Sequence, residues 1–219
     1  MGGFWQYWPL FGLRVRTERL ELRMPTDDDL YQLAATARGG VYAPGEMPFL
    51  VPWQETPSPD FEYNFLQYHW GLRANWSPDS WRLELGVRVD DQAAGAQAIS
   101  ADGFAEHSTI STGSWLGRGF QGRGYGKEMR AAVLAFSFDY LQADWVTSAA
   151  FADNPASIAI SRSLGYEETS HEWVGGPEDG DQREAINFLM TPDLWYSRER
   201  APIEVEGFDE CRAFFGLWD

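Results

Sequence analysis

The run Gly117-Arg118-Gly119-Phe120-Gln121-Gly122-Arg123-Gly124-Tyr125-Gly126-Lys127-Glu128-Met129-Arg130 gathers five glycines and four cations in a chain that is otherwise acidic. It follows a predicted strand, Thr109 to Leu116, and leads into a segment where Met129, Val133, Phe136 and Tyr140 recur at helical spacing. A glycine-rich turn from strand to helix aims free backbone N–H groups from the positive end of the helix dipole, an arrangement that binds phosphate. Two nucleotide loops fail on spacing. A P-loop needs a hydroxyl residue after its lysine, but Gly126-Lys127 is followed by Glu128. A dinucleotide fingerprint needs Gly-x-Gly-x-x-Gly and an acid closing the next strand; here the glycines fall at 122, 124 and 126, and Asp144 precedes that strand.

A second element stands 33 residues beyond Gln121: Asn154-Pro155-Ala156-Ser157-Ile158-Ala159-Ile160-Ser161-Arg162-Ser163-Leu164-Gly165-Tyr166. Asn154 can cap a helix, Pro155 suits its first position and Gly165 suits a left-handed end. Together, Gln121 to Gly126 resembles the Gln/Arg-x-x-Gly-x-Gly/Ala pyrophosphate loop of the GNAT N-acetyltransferases, and Asn154 to Tyr166 resembles that family's Asn-x-x-Ala/Ser…Leu-Gly-Phe helix. Thr17-Glu18-Arg19-Leu20-Glu21-Leu22-Arg23 is similar to the opening strand of the branch that acetylates ribosomal-protein N-termini. The resemblance spans roughly Arg16 to Met190.

It implies an α/β fold with a central mixed, mostly antiparallel sheet, splayed between two strands and flanked by helices on both faces. It implies acetyl-coenzyme A as co-substrate, with other acyl donors such as succinyl-coenzyme A open, and direct attack by an amine acceptor. The strand ending at Trp115 and Leu116 would hold the pantetheine and polarise the thioester carbonyl. The N–H groups of Gly122, Arg123, Gly124, Tyr125 and Gly126 would take the pyrophosphate, with Gln121 opening the loop, Arg123 and Lys127 adding charge, and Asn154 and Ser157 closing the site.

The attacking amine must be neutral, yet an ordinary one with a pKa near 10.4 is almost wholly protonated at neutral pH. A general base, direct or through water, is therefore expected. The titratable candidates are Glu106 and His107 before the central strand and His171 and Glu172 after the second element, with Glu106 and Glu172 leading. The departing thiolate is helped by a nearby hydroxyl. Many GNAT members place a tyrosine seven residues after the asparagine, where this chain has Ser161. Ser157 instead matches the serine that the ribosomal-protein branch uses as acid, and positions 157 and 161 share a helix face. By the same resemblance Phe49, Trp53, Tyr68, Trp70 and Trp76 wall the acceptor site. An acidic, aromatic cleft suits a cation such as a primary amine, be it a peptide N-terminus, a lysine, a polyamine or an amine antibiotic. A non-catalytic acyl-coenzyme A sensor is the rival reading, motivated by the missing tyrosine.

The elements that must carry these residues follow from pattern. Arg16 to Met24 alternates as a strand; Thr26 and its aspartates cap a helix through Leu30, Leu33, Ala34 and Ala37. Prolines punctuate an apolar loop from Gly39 to Pro59 that reads as a lid on the core or a pocket wall, and a helix is expected from Asp60 to Asn75. Trp81 to Val89 and Ala94 to Ala101 read as a hairpin around Asp90-Asp91, with further strands at Trp145 to Phe151 and Ala185 to Met190. The division expected is an aromatic arm (1–15), the acetyltransferase domain (16–191) and an acidic, aromatic extension (192–219).

With 33 Asp and Glu against 17 Lys and Arg among 219 residues, the formal charge is −16. That field opposes nucleic acid and anionic membrane. The apolar start has no basic flank or cleavage site and so does not read as a signal peptide, and no apolar run reaches the roughly 20 residues of a membrane helix. One cysteine excludes an internal disulfide, and three scattered histidines supply no metal-ligand spacing. The chain reads as soluble and cytoplasmic, with a homodimer through the aromatic ends, Phe4 to Phe11 and Phe214-Phe215, as a further expectation.

Overall fold

The computed structural model describes residues 4–175 and 182–218, so the first three residues of the expected arm lie outside it. Two short strands open the fold, β1 (Arg14–Arg16) and β2 (Glu21–Arg23), where the pattern predicted one. They are split by a turn in which Thr17 N–H donates to the Leu20 carbonyl at 3.0 Å. Helix α1 (Asp27–Arg38) starts in a capping box between Thr26 and Asp29. Asp29 is buried, and Arg23 and Arg88 each donate to it at 2.9 Å.

Helix α2 (Asp60–Ala74) leads to β3 (Ser80–Val89) and β4 (Gln92–Asp102). The hairpin turns at Asp90 and Asp91, with φ of 47° and 63°, as the primed turns require. A four-residue helix α3 (Phe104–His107) precedes β5 (Thr109–Leu116). Beyond the glycine loop, α4 (Tyr125–Ala135) runs into a π-helical turn at Phe136–Tyr140. Then come β6 (Trp145–Phe151), α5 (Pro155–Leu164), β7 (Glu167–Val174), β8 (Arg183–Met190), α6 (Pro192–Tyr196) and β9 (Glu204–Glu206). Strand β7 escaped the pattern because residues 167–173 are all exposed, so no apolar alternation marks it.

The strand order is β7-β8-β6-β5-β4-β3-β2-β1-β9, and every neighbouring pair is antiparallel except β5 with β6. This is the expected mixed, mostly antiparallel sheet. Its larger apolar face packs against α4 and α5, while the other carries α1, α2 and a smaller cluster around Phe61 and Phe65. Both chain ends join the larger core: β9 pairs with β1, Trp8 meets Phe214 edge to face at 5.2 Å, and Phe215 is sealed against Trp81 and Phe136. Trp8, Phe11, Phe214 and Phe215 thus pack within one chain, while Trp5, Tyr7 and Trp218 stay exposed.

Two predictions follow from burial. Phe215→Ala leaves a cavity beneath the sheet and lowers the unfolding free energy by about 3–5 kcal/mol, to be measured by denaturant titration. His69 on α2 is only 4% exposed, and burial pulls its imidazole from 6.5 down to about 4. Between those values the unfolded chain binds a proton that the native one refuses. Stability is therefore lost as pH falls from 6.5 to 4, by about 3 kcal/mol for this group. His69→Gln should remove that part of the slope in a pH series of unfolding curves.

Candidate active site

Strands β5 and β6 begin side by side and then part. Their ladder runs from Thr109↔Trp145 to Thr112↔Ser148 and stops, while β5 continues to Leu116 and β6 to Phe151. Among the described residues, β5 pairs from Gly113 onward only with β4, and β6 from Ala149 onward only with β8. A wedge opens between them, its walls lined with backbone. Trp115 and Leu116 lie at its mouth on opposite faces: Leu116 in the α4-side core, Trp115 against Trp53 at 5.6 Å.

The glycine loop leaves the end of β5. Gln121, expected at the phosphates, turns its side chain inward and donates to the carbonyls of Val41 (2.6 Å) and Leu116 (2.8 Å), which fastens the loop to the α1–α2 connection. Gly122 and Gly124 take φ of 73° and 84°, and space is open around the position where a Cβ on Gly122 would project. These left-handed residues turn the chain into α4 with its first N–H groups outward. From Gly122 to Lys127 no backbone N–H has an acceptor among the described residues; the first helical bond is Glu128 N–H to Gly124 at 3.1 Å. Gly126 has another purpose, since a Cβ there would meet Ile160 at 3.0 Å, so it lets α4 and α5 approach closely.

A cation that the sequence reading passed over stands at this loop. Arg19 donates to the Arg123 carbonyl at 3.0 Å, lies over the Tyr125 ring at 4.8 Å and is ion-paired with Glu128, which also accepts from Thr17 at 2.6 Å. Arg123 and Lys127 are exposed beside it. On the far side, Asn154 Oδ1 accepts from Ser157 N–H at 3.1 Å and caps α5. Among the described residues the Ser157 hydroxyl, half-buried, has no bond, and Ser161, one turn on, is sealed with its hydroxyl also unpartnered. Of the two, Ser157 is the accessible one.

The expected bases stand apart from the wedge. Glu106 is exposed on α3, beyond the paired part of β5, which is about 13 Å of strand. Glu172 is on β7, two strands from β6, accepting from Asn187 at 3.0 Å. His107 stands beside Glu106, and His171 is paired with Glu184 at 2.7 Å.

A buried guanidinium spans the wedge instead. Arg130 of α4 is 4% exposed, donates to Ser148 of β6 (2.8 Å) and Ser114 of β5 (3.3 Å), and keeps an unpartnered Nε. No carboxylate pairs with it among the described residues. Tyr166 lies beside it, its phenol pushed up by burial and drawn back by Arg130. In sequence Arg130 sits next to the apolar stripe, and the burial of most of α4 from Met129 onward brings it inside. Across the wedge the proline-rich loop forms a lid: Phe49 and Trp53 pack at 5.6 Å, and Arg183 donates to the Phe49 carbonyl at 3.2 Å. Among the described residues no cluster of His, Cys, Asp or Glu is placed to hold a metal, and no helix is long and apolar enough to cross a membrane.

The profile of the acetyltransferase (GNAT) domain matches residues 19–167. Among solved structures, the chain is similar to the ribosomal-protein α-N-acetyltransferase RimL in complex with coenzyme A (16% identity, 81% of this chain and 97% of that one, TM-score 0.63). It is also similar to variant forms of the spermidine/spermine N-acetyltransferase SpeG from Vibrio cholerae (15% identity, 82% and 98%, TM-score 0.60). A GNAT-family acetyltransferase from Bacillus anthracis matches likewise (13% identity, 82% and 99%, TM-score 0.62). At such identities the likeness is one of fold. The domain match covers more than half of the chain and contains the wedge, the outward N–H groups and the Asn154 cap, so the chain belongs to the GNAT acetyltransferase family and is an acyl-coenzyme A dependent N-acetyltransferase.

Proposed function

We propose that the protein moves an acetyl group from acetyl-coenzyme A to a primary amine by direct attack within a ternary complex. The observation that carries this is the run of unbonded N–H groups from Gly122 to Lys127 set at the mouth of the wedge. The pyrophosphate takes the loop, with Arg19, Arg123 and Lys127 as counter-charges. The pantetheine lies along the backbone of Trp115 and Leu116, and a backbone N–H aimed at the developing oxyanion is worth about 3 kcal/mol. Asn154 fixes the start of α5, and Ser157 offers its hydroxyl to the leaving thiolate. The amine nitrogen bonds to the carbonyl carbon, the C–S bond breaks, and the amine gives up a proton while the thiolate gains one. The proton acceptor belongs to the face across the wedge from the coenzyme. Glu106 or Glu172 can serve only through water, given their distance from it.

Arg130 favours a second reading in which the acyl chain itself ends in a carboxylate, as a succinyl group does. A buried guanidinium without a carboxylate is expensive, and an anionic acyl terminus would complete the pair.

Two measurements test this. Gly124→Val places a branched side chain where φ is 84° and Arg19 would be 3.3 Å from its Cβ, and it should abolish coenzyme A binding by calorimetry. Unchanged binding would remove the pyrophosphate from this loop. A thiol-release screen of amines against acetyl-, propionyl- and succinyl-coenzyme A decides the donor. If the carboxylate reading holds, Arg130→Met lowers kcat/KM for the succinyl donor about 10- to 100-fold more than for the acetyl donor. Equal losses leave acetyl transfer alone.

A further inference from the structure

The sheet face beneath α2 carries a polar cluster that the coenzyme site does not use. The registers set Glu84 beside Ala98 and Ala98 beside Gly113. A carboxylate and the first splayed residue of β5 thus share one cross-strand row, about 10 Å apart, with only a methyl group between them. Beside this row lies a cleft of about 910 Å³, lined in part by Tyr68, Trp76, Arg82, Asp102, His107 and Ser111. Glu84 accepts from the Tyr68 hydroxyl and from Arg82, both at 2.7 Å, and Arg82 Nη2 is 3.7 Å from where a Cβ on Gly113 would sit. Next to Tyr68 is His69, 4% exposed, its ring 4.7 Å from that of Phe65 and 5.2 Å from that of Tyr68. Phe65 in turn meets Trp115 of β5 at 6.5 Å. Neither ring nitrogen of His69 makes a hydrogen bond among the described residues. Neither nitrogen is fully shut off from solvent, so the ring keeps an open, unbonded polar edge although the residue is only 4% exposed.

We propose that His69 is the base that takes the proton from the acceptor amine. The amine nitrogen bonds to the thioester carbonyl carbon, the C–S bond breaks to release the thiolate, and the N–H proton passes to the unprotonated ring nitrogen of His69. Glu84 then stabilises the imidazolium. The assignment rests on the acyl-transfer reading above.

The charges around the ring fit this role. Burial lowers the proton affinity of His69 most, Glu84 raises it, and Arg73 and Arg82 lower it. Tyr68, pushed up by burial and by Glu84, keeps its proton and stays a donor. His69 is therefore in its base form across the neutral range. A weak base gives up driving force per transfer but leaves every molecule in the reactive form.

The test is thiol release from acetyl-coenzyme A with n-butylamine and with a tripeptide bearing a free N-terminus, measured for the parent, His69→Gln and Glu84→Gln. Coenzyme A binding is followed in parallel by calorimetry. The expected result for His69→Gln is a kcat about 100-fold lower with coenzyme affinity unchanged. The loss should shrink with a nucleophile already neutral at pH 7, and added imidazole should restore part of the rate to His69→Ala. Glu84→Gln should lower kcat about tenfold in the same pattern. A His69→Gln rate within about threefold of the parent overturns the assignment. If the substitution prevents folding, ring NMR signals of the native protein replace it: with coenzyme A bound, those of His69 should move on adding n-butylamine, and signals indifferent to the amine overturn the role. A parent that binds coenzyme A yet releases no thiol with any amine overturns acyl transfer itself, and the base with it.

Discussion

The structure depends on one interruption: the parallel ladder between β5 and β6 ends at Thr112↔Ser148 while both strands run on. A sheet normally pairs its backbone groups, and leaving a stretch unpaired in its middle is unfavourable unless something else occupies the gap. Here the fold holds the gap open from both faces. Below, Arg130 reaches across it to a serine on each strand. Above, Trp115 is pinned to the lid by Trp53 and to α2 by Phe65. Both strands thereby keep a stretch of backbone without a partner across the gap among the described residues.

The loop and the wedge are one device. Gln121 spends its side chain on carbonyls of residues 41 and 116, so the glycine turn is tied to the end of β5 and to the α1–α2 connection together. That tie sets where the outward N–H groups of α4 stand relative to the gap. Arg19 adds a third anchor from β2's approach, with Glu128 of α4 holding its guanidinium over the loop. In a chain of net charge −16 such local cations matter, because the summed field works against any phosphate.

The two faces of the wedge differ in kind. The α4 side holds buried hydroxyls and a guanidinium with no carboxylate partner among the described residues. The α2 side holds a roomy cleft lined in part by Tyr68 and Arg82, with Glu84 accepting from both and the His69 ring packed beside Tyr68. In the function proposed above, a donor that leaves as an anion and an acceptor that must lose a proton make opposite demands, and each face would meet one of them.

Much of this was legible in the sequence because it is local. Glycine spacing, the Thr26 and Asn154 caps, the Asp90-Asp91 turn and the alternation of β3 to β6 depend on neighbours a few residues away, and all appear where the pattern put them. Strand β7 did not, because an edge strand exposed on both faces has no apolar period. The polar groups brought to the wedge could not be read either. Arg130 and Ser148 are 18 residues apart, Tyr68 and Glu84 are 16, and Arg19 and Glu128 are 109. No periodicity links such pairs, since strand order and register bring them together. Local residue choice sets the elements and the glycine turn, whose geometry follows from backbone torsions. Which side chains face the gap is a property of the assembled fold, because it depends on which strands stop pairing and which helix covers them.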